Sequence, residues 1–113
     1  MSISNYKSEI YLRNDSYNDV KIRKMWSELA KDRNYICPIC KKQNIEGNFV
    51  VDHNHHSNII RDVICRSCNY TLHYIEDLKA VSPDYKPFYD YLKKAEEEEI
   101  ELQTFYNDVM EMA

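Results

Sequence analysis

The chain has 113 residues, 43% of them hydrophobic, with one Gly and three Pro, which fits one domain with a small core and no flexible linker. No stretch approaches the ~20 apolar residues of a membrane span, and Met1 to Tyr11 hold no apolar segment of a secretory signal, so no membrane-spanning helix and a reducing, cytoplasmic setting are expected. The formal net charge of −4 is uneven: residues 1–95 carry 15 Lys and Arg against 12 acids, a net +3, while residues 96–113 hold the other seven acids, so the body permits nucleic-acid binding and the tail does not invite it.

Residues 1–14 are polar and mixed and give no clear pattern. Asp15 or Ser16 can cap a helix running to about Asp32, with Tyr17, Val20, Met25 and Leu29, flanked by Ile22 and Trp26, as its apolar stripe. Residues 35–65 change character. Short β-leaning pieces, Tyr35–Ile36, Phe49–Val51 and Ile59–Ile64, are separated by turn residues. From Arg66 to about Lys79 the pattern is helical, with Leu72, Ile75 and Leu78 on one side. Ser82-Pro83-Asp84 starts a last helix, since Pro suits a first turn and Ser82 can cap it.

In that last helix Phe88, Leu92, Ala95, Glu99, Leu102, Tyr106 and Val109 follow alternating 4,3 spacing. The plainer reading is a helix packed on its own domain. The sharper one is a homodimer seam, although barely three heptads is short for a coiled coil. Glu96 to Glu99 reads as a solvated face. The chain divides on this reading into a domain at 1–95 and an acidic helical tail at 96–113.

All four cysteines fall in two C-x2-C pairs, Cys37/Cys40 and Cys65/Cys68. Each pair can present two thiolates to one ion, and two pairs complete a closed tetrahedral Zn²⁺ site, the structural kind. The 24 residues between Cys40 and Cys65 leave room for an inserted functional element. Disulfides or separate core thiols are the competing readings; a reducing setting and the absence of an odd cysteine favour zinc.

The insert holds Asp52-His53-Asn54-His55-His56. In a strand His53 and His55 share a face, and Asp52 and Asn54 point the other way unless the strand ends or bulges. His56-Ser57-Asn58 reads as a tight turn with Asn58 able to take a left-handed conformation, and Ile59-Ile60-Arg61 returns as a second strand. The hairpin leads straight into the helix that carries Asn69. A solvated His-rich loop is the bland alternative, but Asp, His and His between two cysteine knuckles, with Asn directly after the last cysteine, is hard to explain as packing.

The stretch Cys37-Pro-Ile-Cys40, Asp52-His-Asn-His55 and Arg61-Asp-Val-Ile-Cys65-Arg-Ser-Cys68-Asn69 resembles the phage recombination endonuclease VII family, within the HNH nucleases. The specific part covers residues 37–69, and weaker similarity extends over the preceding helix and on to about Lys94. The resemblance implies that Cys37, Cys40, Cys65 and Cys68 hold structural zinc, that Asp52 and Asn69 ligate a catalytic Mg²⁺ or Mn²⁺, that His53 is the general base, and that His55 contacts phosphate or supports the site. Two departures stand out: the family's Gly after Arg is Asp62, and its Thr-Gly hairpin turn is Ser57-Asn58. Leu72 offers no further carboxylate one turn beyond Asn69. His73, at i+4 from Asn69, could face the metal, though a surface or packing role is the plainer reading.

Phosphodiester cleavage needs a nucleophile, a charge sink and a stabilised leaving group. A hard cation on oxygen ligands serves the last two, and a neutral imidazole can take a proton from water near pH 7. The expected fold is small α+β: a zinc-stapled ββα-metal (HNH, His-Me finger) core flanked by helices. The expected function is a metal-dependent DNA endonuclease acting on branched or duplex DNA, in a host's cytoplasm if the chain is phage-encoded. The alternatives are a site-specific homing or nicking HNH enzyme and a zinc module that binds DNA or protein without cutting.

Overall fold

The computed structural model describes residues 16–79 and 82–112. The readings made above for Met1 to Tyr11 and for an Asp15 cap lie outside these residues, as do the side chains of Tyr106 and Val109. The fold is α+β, with three α-helices and one two-stranded sheet among the described residues. In order these are α1 (Val20–Asp32), β1 (Phe49–His53), β2 (Ile60–Cys65), α2 (Arg66–Leu78) and α3 (Lys86–Met112). No described helix is long and apolar enough to cross a membrane.

Helix α1 starts later than its sequence suggests. Ser16–Asn18 form a separate 3-10 turn, and Asp19 is the cap, its carboxylate accepting from Lys21 and Ile22 N–H at 2.9 and 3.2 Å. A carboxylate that satisfies two otherwise orphaned amides outcompetes Ser16 for the helix start. The helix ends through Asn34 and Tyr35, both at φ 58, with Tyr35 N–H closing on Ala30 O at 2.8 Å. The chain then reverses: Ile36 bridges Gln43, and the Cys37–Cys40 knuckle is a tight turn closed by Lys41 N–H on Cys37 O at 2.9 Å. Tyr35–Ile36 is therefore a single bridge and not a strand.

Strands β1 and β2 form an antiparallel hairpin with Phe49 opposite Cys65, Val51 opposite Val63 and Asp52 opposite Asp62. His53 then faces Ile60, so Arg61 is the extra residue of a bulge. The turn follows the sequence closely, with Asn58 at φ 65 and Asn54 Oδ1 accepting from His56 and Ser57 N–H. Two strands alone are marginal in water, and this pair is covered on both faces. Trp26, Leu29 and Ala30 of α1 pack on Ile60 and Val63. On the other side Cys37, Ile39, Ile64, Cys65, Cys68 and Leu72 form a second cluster, joined by Phe88, Tyr91 and Leu92 of α3. All six residues of β2 are buried, which at roughly 1.5–3 kcal/mol per large apolar side chain makes this strand the centre of the molecule.

Asp62, where the family has glycine, is not idle: Arg33 at the end of α1 donates to it at 2.7 Å, tying helix to strand. On α2, Leu72 and Ile75 are buried as expected, but Leu78 is 65% exposed, because the helix runs past the core before Lys79 ends it at φ 50.

Helix α3 runs unbroken through residues 95 and 96. Phe88 and Leu92 pack on the cysteine cluster, and Ala95 and Leu102 are 7% and 3% exposed within the single chain. Glu96 and Glu97 are solvated, but Glu98 is buried and Glu99 accepts from Asn54 Nδ2 and Ser57 Oγ, both at 3.2 Å. The helical period places 95, 98, 99 and 102 on one inward face, so the acidic run is only half a solvated face.

Candidate functional site

The four cysteines converge. None is in a disulfide, and their sulfurs lie within 4.8 Å of one another. Cys40 Sγ and Cys65 Sγ are 3.9 Å apart, close to the edge of about 3.8 Å of a tetrahedron with Zn–S arms of ~2.3 Å. The set can therefore hold one zinc ion. Burial raises the Cys37 thiol and pushes Cys68 well up. At Cys65 burial is outweighed by hydrogen bonding, with the Ser67 hydroxyl 3.4 Å away, and its thiol comes down to about 7. Cys65 ends β2 and caps α2, and its side chain makes no capping hydrogen bond. The cysteine cluster takes that place, fixing the hairpin to the first turn of α2 and to Asn69 just beyond it.

Asp52 and His53 leave β1 on opposite faces. Asp52 is 4% exposed. Its Oδ2 accepts from the Tyr91 hydroxyl of α3 at 2.9 Å and lies 3.7 Å from Arg61 Nε. Arg61 in turn makes a two-pronged pair with Glu76 of α2, 3.0 Å at each oxygen. Burial raises the Asp52 carboxyl, with Arg61 and Tyr91 acting against it. Burial beside Asp52 also pushes the Tyr91 phenol up, so it stays a donor. Among the described residues neither Asp52 Oδ1 nor the half-buried Asn69 amide is in a hydrogen bond. Each is an oxygen donor of the type a hard cation takes.

On the other face the His53 ring stacks on Tyr17, centroids 3.6 Å apart, and on His55 at 4.7 Å. His73 of α2 completes the group, 4.8 Å from His55. It is half-buried and packs in the cluster, the packing side of the surface-or-packing role its sequence suggests. His56 is exposed outside it. The His53 pKa is lowered, first by burial and then by the positive charges of His55, Arg61, His73 and Arg23. Asn69, His73 and Glu76 occupy i, i+4 and i+7 of α2, one face. His73 meets His55 and Glu76 meets Arg61, so that face bridges both sides of the hairpin.

Sequence reasoning missed Tyr91, Glu76 and Tyr17. The i, i+4, i+7 spacing carried a signal for Glu76. Tyr91 and Tyr17 carried none, lying 39 and 36 positions from their partners. A cleft of about 480 Å³ between the first knuckle and α3 includes Lys41, Lys86 and Lys94, and meets this centre only at Arg61 and Tyr91. Tyr91→Phe leaves Asp52 short of one buried donor, and is expected to cost about 1–3 kcal/mol, read from urea midpoints; an unchanged midpoint would remove Tyr91 from the Asp52 network.

A family model described as recombination endonuclease VII matches residues 12–94, most of the chain. No curated protein and no solved structure matches it.

Proposed function

Because the chain belongs to the recombination endonuclease VII family, whose activity is that of a DNA endonuclease in recombination, we propose that it hydrolyses phosphodiester bonds of branched DNA with a divalent metal. The observation that carries this reading is the bulged end of the hairpin. There Asp52, with one oxygen in no hydrogen bond of the described residues, and His53, its pKa lowered by burial and positive neighbours, are consecutive residues on the two faces of the strand, and α2 reaches both faces through Glu76 and His73. Asp52 and Asn69 would hold Mg²⁺ or Mn²⁺, which when bound neutralises the phosphate and the leaving oxygen. His53 accepts the proton of the attacking water as the water oxygen bonds to phosphorus and the bond to the leaving sugar oxygen breaks. His55 contacts the phosphate or supports His53 through ring stacking. The four cysteines would hold structural zinc, and since those thiols must stay reduced we place the protein in a cytoplasm, a host's if the chain is phage-encoded.

The zinc-loaded chain, incubated with a four-way junction and with linear duplex in Mg²⁺ or EDTA, tests this. Junction cleavage in Mg²⁺ and none in EDTA is expected, with zinc content checked after chelation. Equal cutting of linear DNA at one sequence would favour a homing or nicking HNH enzyme. Binding without cutting would favour a non-catalytic zinc module.

A junction has two strands to cut and the chain carries one Asp52–His53 pair, so the active species on this reading is a homodimer. Phe88, Leu92, Ala95 and Leu102 are engaged in the chain's own core, so the seam would have to use other residues than the 4,3 face of α3. Light scattering at micromolar concentration should give the mass of two chains; a monomer mass would overturn the dimer and leave a nicking enzyme.

A further inference from the structure

We propose that Arg23 of α1 is a phosphate-binding residue, holding a backbone phosphate of DNA beside the histidine cluster. The DNA part of this rests on the nuclease reading above; the anion site itself does not. Arg23 Cζ lies over the Tyr17 ring, 5.1 Å from its centroid, and Tyr17 stacks on His53. The guanidinium is thus one ring away from His53.

What singles out Arg23 is its Nε, buried and without a hydrogen-bond partner among the described residues. A charged group with a donor left unpaired is poorly satisfied by the protein, and the guanidinium, only partly buried and in no ion pair of the described residues, can take an acceptor from outside. The other described arginines are spent on the protein: Arg33 on Asp62, Arg61 on Glu76 and Arg66 on Gly47 O. The surroundings select the kind of acceptor. His53, His55 and His73 are the grouped titratable residues here, and none of the ion pairs of the described residues brings a carboxylate to Arg23. Unpaired cationic and imidazole donors in one place favour an anion. The planar fork of a guanidinium, placed over the face of an aromatic ring, matches two phosphate oxygens in a way an ammonium does not. The cluster is half-exposed, with His55 open to solvent, so a DNA strand can reach it.

The test uses the full zinc-loaded chain, with Arg23→Gln and Arg23→Lys. Binding of a labelled four-way junction is measured over a salt series in Ca²⁺. Arg23→Gln is expected to weaken binding by about tenfold and to make the slope of log K against log salt shallower by about 0.9, the signature of one lost phosphate contact. Arg23→Lys should keep the slope and recover part of the affinity. A purely structural role, acting through Tyr17 on His53, would change the cleavage rate and leave the salt slope alone, and that result would overturn the proposal. In parallel, inorganic phosphate is titrated into the wild-type chain while the Arg23 Nε–H resonance is followed. A saturable shift, absent for the other arginines, supports the anion site even if DNA is not cut, which would sink only the nuclease reading. Cleavage of DNA by a chain whose Arg23→Gln variant keeps wild-type affinity and slope would sink only the Arg23 site.

Discussion

The variant Cys65→Ser is expected to lose its zinc and, with it, the folded core. Cys65 is 1% exposed and stands at three junctions: the last residue of β2, the cap of α2, and the cluster that also contains Ile39, Ile64 and Leu72. It is also the thiol most ready to ionise, at about 7, whereas burial holds Cys37 and Cys68 up. Removing it leaves three sulfurs, two of which favour the neutral form without a metal. In zinc-finger peptides structural zinc supplies roughly 10–16 kcal/mol near neutral pH, as much as the whole ~5–15 kcal/mol stability of an ordinary domain. A chain with a core this small has nothing to replace it. Metal analysis should find about one zinc per wild-type chain and none in the variant, whose cooperative thermal transition should vanish. A variant that is zinc-free yet melts like the wild type would show that the cysteine cluster is only packing. The sign of the pH effect follows from the same thiols: protons compete with zinc as pH falls, so the metal should be released on acidification.

The parts of the fold that were legible are those fixed by local chemistry. Two C-x2-C pairs define the staple, the Asn58 turn and alternating strands define the hairpin, and Ser82-Pro83 opens the last helical segment. What was not legible depends on contacts far apart in sequence. Asp19 displaces Ser16 as the cap of α1 because it happens to satisfy two amides. Leu78 has the right period but no core to meet. Glu99 reads as part of a charge run until the hairpin turn is placed against it. Asp62 looks like a defect in the family's pattern until Arg33 arrives from α1. At the site, His53 and His55 do meet, but not by strand alternation: β1 ends at His53 and the turn that follows brings His55 back onto it, while the bulge at Arg61 accompanies the meeting of Asp52 with Arg61 and, through it, Glu76. The Tyr91 hydroxyl on Asp52 comes from a helix 39 residues away, beyond any periodicity.

The central claim is that this hairpin cuts DNA with His53 as its base, and single-turnover cleavage by His53→Ala tests it most directly. A base in this role contributes ~10²–10⁴-fold. The ring is half-buried at a strand end, stacked on Tyr17 and His55 and remote from the cysteine cluster in both the chain and the core, so its loss should spare the zinc and most of the stability. The wild-type rate should also carry its titration. The base works neutral, and burial together with His55, Arg61, His73 and Arg23 lowers its pKa, so activity should hold below the ordinary imidazole value of about 6.5 and fall only at lower pH. A cation held at neighbouring Asp52 would shift the fall in the same direction. The measurement is the cleavage rate of a four-way junction in Mg²⁺ for wild type and His53→Ala, each shown to hold one zinc and to melt alike. The account predicts a loss of about 10²-fold or more with the acid limb of the pH profile gone. A variant that cuts at a near wild-type rate, with the same pH profile, would contradict it.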